Sequence, residues 1–237
     1  MIVTQDDFNL IPYNLVGLPD DGTFDNFISE QEELYLRPLL GNLFYDALAV
    51  GIESLPDVYD GNTNYALDAE VYSGIVIYKS LVADNMGNVV TDATKWEVVV
   101  DAERTRWLRL IEGENYEYSD RTYKWFGMKK MVKPLIWSLW TRYNVSADTS
   151  QGKAATAIEN ANRADNFQSI CDAWNKYVDY SCGKYCIGDA ISMYDSLYGY
   201  LYVSTLFDDL DLGVDETLVD YIQENFEGVG RMNAFGI

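Results

Sequence analysis

The chain has 237 residues, 48% of them apolar, and a formal charge of −21 from 38 carboxylates against 17 lysines and arginines. Those values describe a folded chain with a sizeable core, and they oppose a DNA-reading role because so negative a surface repels phosphates. Histidine is absent, which removes Ser-His-Asp and Cys-His nucleophile systems, His-containing zinc sites and the usual near-neutral general base.

Apolar runs are all far shorter than the roughly 20 residues of a membrane span. The opening residues lack the basic and apolar regions of a secretory signal, so the expectation is a chain that folds where it is made, with no membrane role. Residues 1–24 carry Pro12, Gly17, Pro19, Gly22 and four aspartates and read as an extended N-terminal arm. From Asp25 to Gly51 apolar residues recur at helical spacing, with Pro38 expected to kink the helix. Residues 53–66 read as a loop. Asp60, Asn62 and Asn64 alternate as in a calcium loop, but Tyr65 stands at the sharp-turn glycine and the bidentate Glu is missing, so a solvated loop is preferred.

Between residues 70 and 100 helix and strand signals conflict, and the sequence leaves the segment open. Around 105–126, Trp107-Leu-Arg-Leu-Ile alternates and Tyr116-Glu-Tyr and Thr122-Tyr-Lys-Trp follow, which predicts a small β-hairpin. Met128, Met131, Val132, Leu135, Ile136, Leu139 and Tyr143 form one apolar stripe and predict a core helix over 127–143. Lys130, Lys133 and Trp137 fall on its opposite side, and that Trp is expected to be exposed and to contact a partner.

Residues 144–157 are small and polar and read as a mobile loop. A further helix follows over 167–185, with Cys171 and Cys182 on its apolar stripe as small packing residues. The odd number of cysteines, which includes Cys186, argues for reduced thiols. Helices are also expected over 189–207 and from Asp215 to Phe226. The tail carries Phe226, Val229, Met232, Phe235 and Ile237 between glycines, bulky groups expected to dock on a neighbouring chain.

The fold expected is therefore mainly α, a helical bundle core with a small β-hairpin and extended N- and C-terminal arms. Its parts are an arm (1–24), a helical domain (25–207) and a short helix with a docking tail (208–237). No phosphate loop, nucleophile elbow or metalloprotease helix is present. Carboxylate pairs such as Asp208 and Asp211 arise by chance in so acidic a chain. No catalytic residue, cofactor or metal is expected. Candidate partner-binding residues are Trp137, Lys130, Lys133, Phe226, Val229, Met232, Phe235 and Ile237.

Several segments, taken in order, resemble the ring or head-completion (adaptor) proteins of the head-to-tail connector of tailed phages, especially the crAss-like phages. They are Glu30-Gln-Glu-Glu-Leu-Tyr-Leu-Arg-Pro-Leu-Leu-Gly-Asn-Leu-Phe-Tyr-Asp-Ala-Leu, Tyr123-Lys-Trp-Phe-Gly-Met-Lys-Lys-Met-Val-Lys-Pro-Leu-Ile, Thr149-Ser-Gln-Gly with Glu159-Asn-Ala, and Trp174-Asn-Lys-Tyr-Val. The resemblance spans residues 25–185. It implies a virion structural protein at the head-tail junction without catalytic residues, forming a ring of twelve copies beneath the portal protein. The same ring would join neighbouring tail or ring proteins, with DNA only as passing cargo. A carboxylate-based glycoside hydrolase and a generic acidic protein-binding module are the alternatives.

Overall fold

The computed structural model describes residues 1–9, 12–15, 18–19, 21–150, 157–181, 193–214 and 217–226, with the side chains of 144–150, 157–166 and 193 left aside. Helix α1 (Thr23–Leu40) buries Phe24, Ile28, Leu36, Leu39 and Leu40, and α2 (Asn42–Glu53) buries Phe44 and Leu48. A single helix kinked at Pro38 was the expectation, but Pro38 lies inside α1 and the break falls at Gly41. Two observations account for that position. Gly41 has φ 75°, a conformation that costs a side-chain-bearing residue strain. A Cβ there would also collide with the Tyr221 hydroxyl, which caps α2 by accepting from the Leu43 N–H at 3.0 Å. Tyr221 belongs to α7 (Leu218–Asn225), so a tertiary contact decides where the first helix ends.

Residues 54–101 overturn the expectation of a mainly α bundle. Strands β1 (Asp57–Val58), β2 (Glu70–Ser73), β3 (Val76–Ser80) and β4 (Trp96–Val99) form a sheet in that order, with β1 parallel to β2 and the remaining pairs antiparallel. With about 52% helix and 15% strand in two sheets, the protein is a mixed α and β structure. The stretch from Val71 to Val82 fits both periods because apolar residues lie on both faces of the sheet. Tyr72, Ile77 and Val99, paired across the strands, pack on Leu108. The neighbouring row Val71, Tyr78 and Val98 faces away, with Val71 covered by Tyr65 and Trp96. Buried Asn85 ties this module together, donating to Ser80 Oγ at 2.9 Å and the Lys95 carbonyl at 3.1 Å. In the adjoining loop Asp60 accepts from the Asn62 N–H at 2.9 Å, so its carboxylate closes its own turn.

The predicted hairpin begins later than the alternation suggested. Trp107, Leu108 and Ile111 lie in α3 (Ala102–Glu112), capped by Asp101, which accepts from the Arg104 N–H at 3.0 Å. Their i, i+1, i+4 spacing is helical, and tertiary burial of that face outweighs the local alternation. The hairpin itself is β5 (Glu114–Tyr118) with β6 (Arg121–Trp125), turning through Ser119 and Asp120 at positive φ. Fully buried Trp125 locks it to the body by donating from its indole to the Leu110 carbonyl at 2.8 Å and stacking on Tyr200.

Helices α4 (Met128–Ser150) and α5 (Ala157–Ser181) pack along one another. Met128, Met131, Val132, Leu135 and Ile136 are fully buried, and the α5 stripe Ile170, Cys171, Trp174, Tyr177 and Val178 is buried opposite. Of the loop expected over 144–157, the part up to Ser150 belongs to α4 and Ala157 begins α5, while residues 151–156 lie outside the described residues. Phe167, with which the sequence pattern opens the apolar stripe of this helix, is exposed. Cys182 and Cys186 lie outside the described residues. Within the segment expected to be helical over 189–207, α6 (Leu197–Val203) is the regular part. Tyr35 of α1 meets the Trp174 ring edge-on at 5.6 Å, so α1 closes on α5.

A candidate lysine-lined docking groove

From the sequence, the arm carries Phe8, Leu10, Ile11 and Tyr13 without a local core, which leads to the expectation that it docks on a neighbouring chain. Instead it folds onto its own helices. Phe8 is fully buried and meets Phe24 edge-on at 5.3 Å, while buried Glu32 of α1 accepts from the Ile2 and Val3 N–H groups, both at 3.0 Å. Burying Phe8 contributes roughly 1.5–3 kcal/mol, about the ordering cost of one or two residues, and buried Ile2 and Val3 with the Glu32 hydrogen bonds add to it. Leu10 and Ile11 lie outside the described residues.

That path alters the surroundings of the residues singled out on α4. Trp137 is half-buried, with the Tyr13 ring 6.1 Å from it; the expectation of an exposed Trp fails because the arm covers its side of the helix. Lys133 pairs with Asp7 of the arm at 2.7 Å. Lys130 is exposed, its ammonium 4.4 Å above the Phe126 ring and 5.8 Å from the Tyr180 ring, both within cation–π range. Phe226, at the other end, is half-buried against the Tyr198 ring at 5.0 Å. Val229, Met232, Phe235 and Ile237 lie outside the described residues.

Sequence reasoning missed Lys176 and Tyr180. They stand four residues apart on one face of α5, a spacing that was visible, but α5's nearness to Lys130 was not. Together with the arm they frame a groove. One cavity of about 360 Å³ is lined by Pro12, Tyr13, Lys130, Lys133, Lys176 and Tyr180, together with Asp7. A second, of about 330 Å³, shares Pro12, Tyr13 and Lys176 and runs on past Trp137 to Ser169, Asp172 and Ala173.

The electrostatics of the groove depart from those of the molecule. Arg37, Arg104 and Arg106 are held by carboxylates, as are Lys79, Lys129 and Lys133. Lys124, Lys130 and Lys176 make no ion pair among the described residues. Burial and the charges of Lys124 and Lys176 push the Lys130 ammonium below the ordinary lysine range. Burial raises the Tyr13 phenol to about 12, with Tyr180 adding to the effect. Tyr13 therefore stays neutral and works as an amphipathic wall. The groove is thus a basic and aromatic surface on a strongly acidic chain: Asp7 holds Lys133 and Asp172 lines its far end, while Lys130 and Lys176 make no ion pair among the described residues, a combination suited to an incoming carboxylate with apolar neighbours.

A separate cavity of about 170 Å³ lies beside Glu32, Tyr45 and Glu53, but the Glu32 carboxylate already holds the arm. Among the described residues, no three His, Cys, Asp or Glu side chains converge to hold a metal, and no helix is long and apolar enough to cross a membrane. No protein-family model, curated protein or solved structure matches this chain.

Proposed function

We propose that the protein is a structural, non-enzymatic subunit of a ring in the head-to-tail connector of a tailed phage, located in the virion, where it binds the portal protein and joins it to tail components. The observation that carries this reading is the groove: unpaired lysines among aromatic walls, on a chain of −21, suit protein docking. Three of the segments that resemble connector proteins add to it, because they lie in packed parts of one body. Glu30–Leu48 forms most of α1 and α2, Tyr123–Ile136 runs from β6 into α4, and Trp174 of α5 touches Tyr35 of α1. Residues 70–100 fall in the β module and outside those segments. The resemblance further suggests twelve copies. An acidic wall also suits a conduit, since DNA passes a like-charged surface without sticking.

Size-exclusion chromatography with light scattering, followed by electron microscopy, tests the proposal on the full chain alone and with a portal protein. Closed rings, alone or templated by the portal, are the expected result. A monomer at every concentration, with or without the portal, would refute it.

A further inference from the structure

We infer that the lysine groove receives the acidic β module, residues 54–101, of a second copy of this chain. This rests on the ring reading and names the surfaces that would build the ring. Charge complementarity is the first argument. The module carries eight carboxylates against Lys79 and Lys95. Arg104 pairs with both Glu70 and Asp101, which leaves that trio one charge negative, and Lys79 pairs with Glu97. Asp57, Asp60, Asp68, Asp84 and Asp92 make no ion pair among the described residues. Lys130 and Lys176 crowd one another in the groove, so a carboxylate entering between them relieves like-charge repulsion as well as forming new pairs.

The second argument is apolar surface. Val58, Leu67, Met86, Val89, Val98 and Val100 of the module are all more than half exposed, Val100 at 95%. The outward row of the sheet runs Asp57, Val71, Tyr78, Val98 across all four strands, and exposed Asp57 and Val98 stand at its two ends. Tyr65 and Trp96 cover the middle of that row, and its exposed ends, the Asp57 carboxylate and the Val98 side chain, match a groove with lysines and aromatic walls.

Geometry supplies the third argument. Lys129 points toward its own sheet, donating to the Tyr72 hydroxyl at 3.1 Å, whereas Lys130, about 100° further round the helix, turns toward α5. Groove and outer sheet row therefore lie on different sides of one subunit. A contact between two different patches is heterologous, and such contacts close into a ring when the rotation between subunits permits and extend into filaments when it does not; the ring reading selects closure.

The test uses charge-swapped full chains, each checked for native circular dichroism. Lys130→Glu with Lys176→Glu reverses the groove, and Asp57→Lys with Val98→Lys reverses the outer row at exposed positions. Each pair alone is expected to raise the concentration needed for half-assembly by about tenfold or more. The fourfold variant, with both surfaces reversed, should assemble again, and an equimolar mixture of the two double variants should form assemblies containing both chains. If the parent forms rings but either double variant assembles like it, the ring reading stands and this inference fails. It fails equally if the fourfold variant stays dissociated, or if the groove variant loses only affinity for duplex DNA. A parent that never assembles sinks the ring reading itself.

Discussion

Glu32 offers a direct test of how the arm is held. Its carboxylate is buried in α1, with no cation among the described residues paired to it; Oε1 and Oε2 accept from the Ile2 and Val3 N–H groups. Burial raises its pKa from 4.5 to about 7, against the lowering effect of those N–H groups. Below pH 4.5 Glu32 is protonated in the folded and unfolded chain alike, and its contribution is fully present. Between 4.5 and about 7 the folded protein holds a proton that the unfolded chain has released, so stability falls as pH rises. The gap corresponds to about 3 kcal/mol. The chain has no histidine to titrate in this window, and ordinary carboxylates are already ionised above pH 5. Urea unfolding between pH 4.5 and 8, with amide exchange read at Val3 and Phe8, measures the effect. Glu32→Gln keeps an oxygen that can accept from both N–H groups and cannot ionise, so its profile should lose most of the slope. Parallel profiles for parent and variant, or a parent more stable at pH 8 than at pH 5, would refute the reasoning.

Gly41→Ala should destabilise the fold by about 1–3 kcal/mol, since Ala is strained at φ 75° and meets the Tyr221 hydroxyl; an unchanged thermal midpoint would contradict this. Tyr221→Phe should cost about 1 kcal/mol by uncapping Leu43 N–H, with the loss in amide protection concentrated at the start of α2. Trp125→Ala should cost about 3–5 kcal/mol and free the hairpin, which denaturant titration and limited proteolysis near Ser119 would reveal. Trp137→Ala should speed amide exchange around Tyr13 while leaving helical circular dichroism nearly unchanged, because the half-buried ring sits at the margin of the core and its aromatic contact is with the arm.

The long periodic segments were legible from the chain alone. In α1, α4 and α5 apolar residues recur over several turns, and the same residues are buried: Leu36 and Leu39, Met131 and Leu135, Trp174 and Val178. Charge and the absence of histidine also follow from composition without any structure. What escaped local reading was whatever depended on a distant partner. Both periods were present in Val71–Val82 and in Trp107–Ile111, and only the packing of Leu108 against Tyr72 and Ile77 decided that one is sheet and the other helix. Gly41 outranks Pro38 as the helix break because Tyr221, 180 residues later in sequence, needs its space. The groove is tertiary in the same sense. Lys130 and Lys133 could be placed on one side of a helix by counting, but Lys176 and Tyr180 reach them across the α4 and α5 contact, and Tyr13 arrives only because Glu32 and Phe24 anchor the arm. Helical periodicity is written in neighbours a few residues apart, whereas a site is defined by which faces meet, and that is set by the burial of the whole chain.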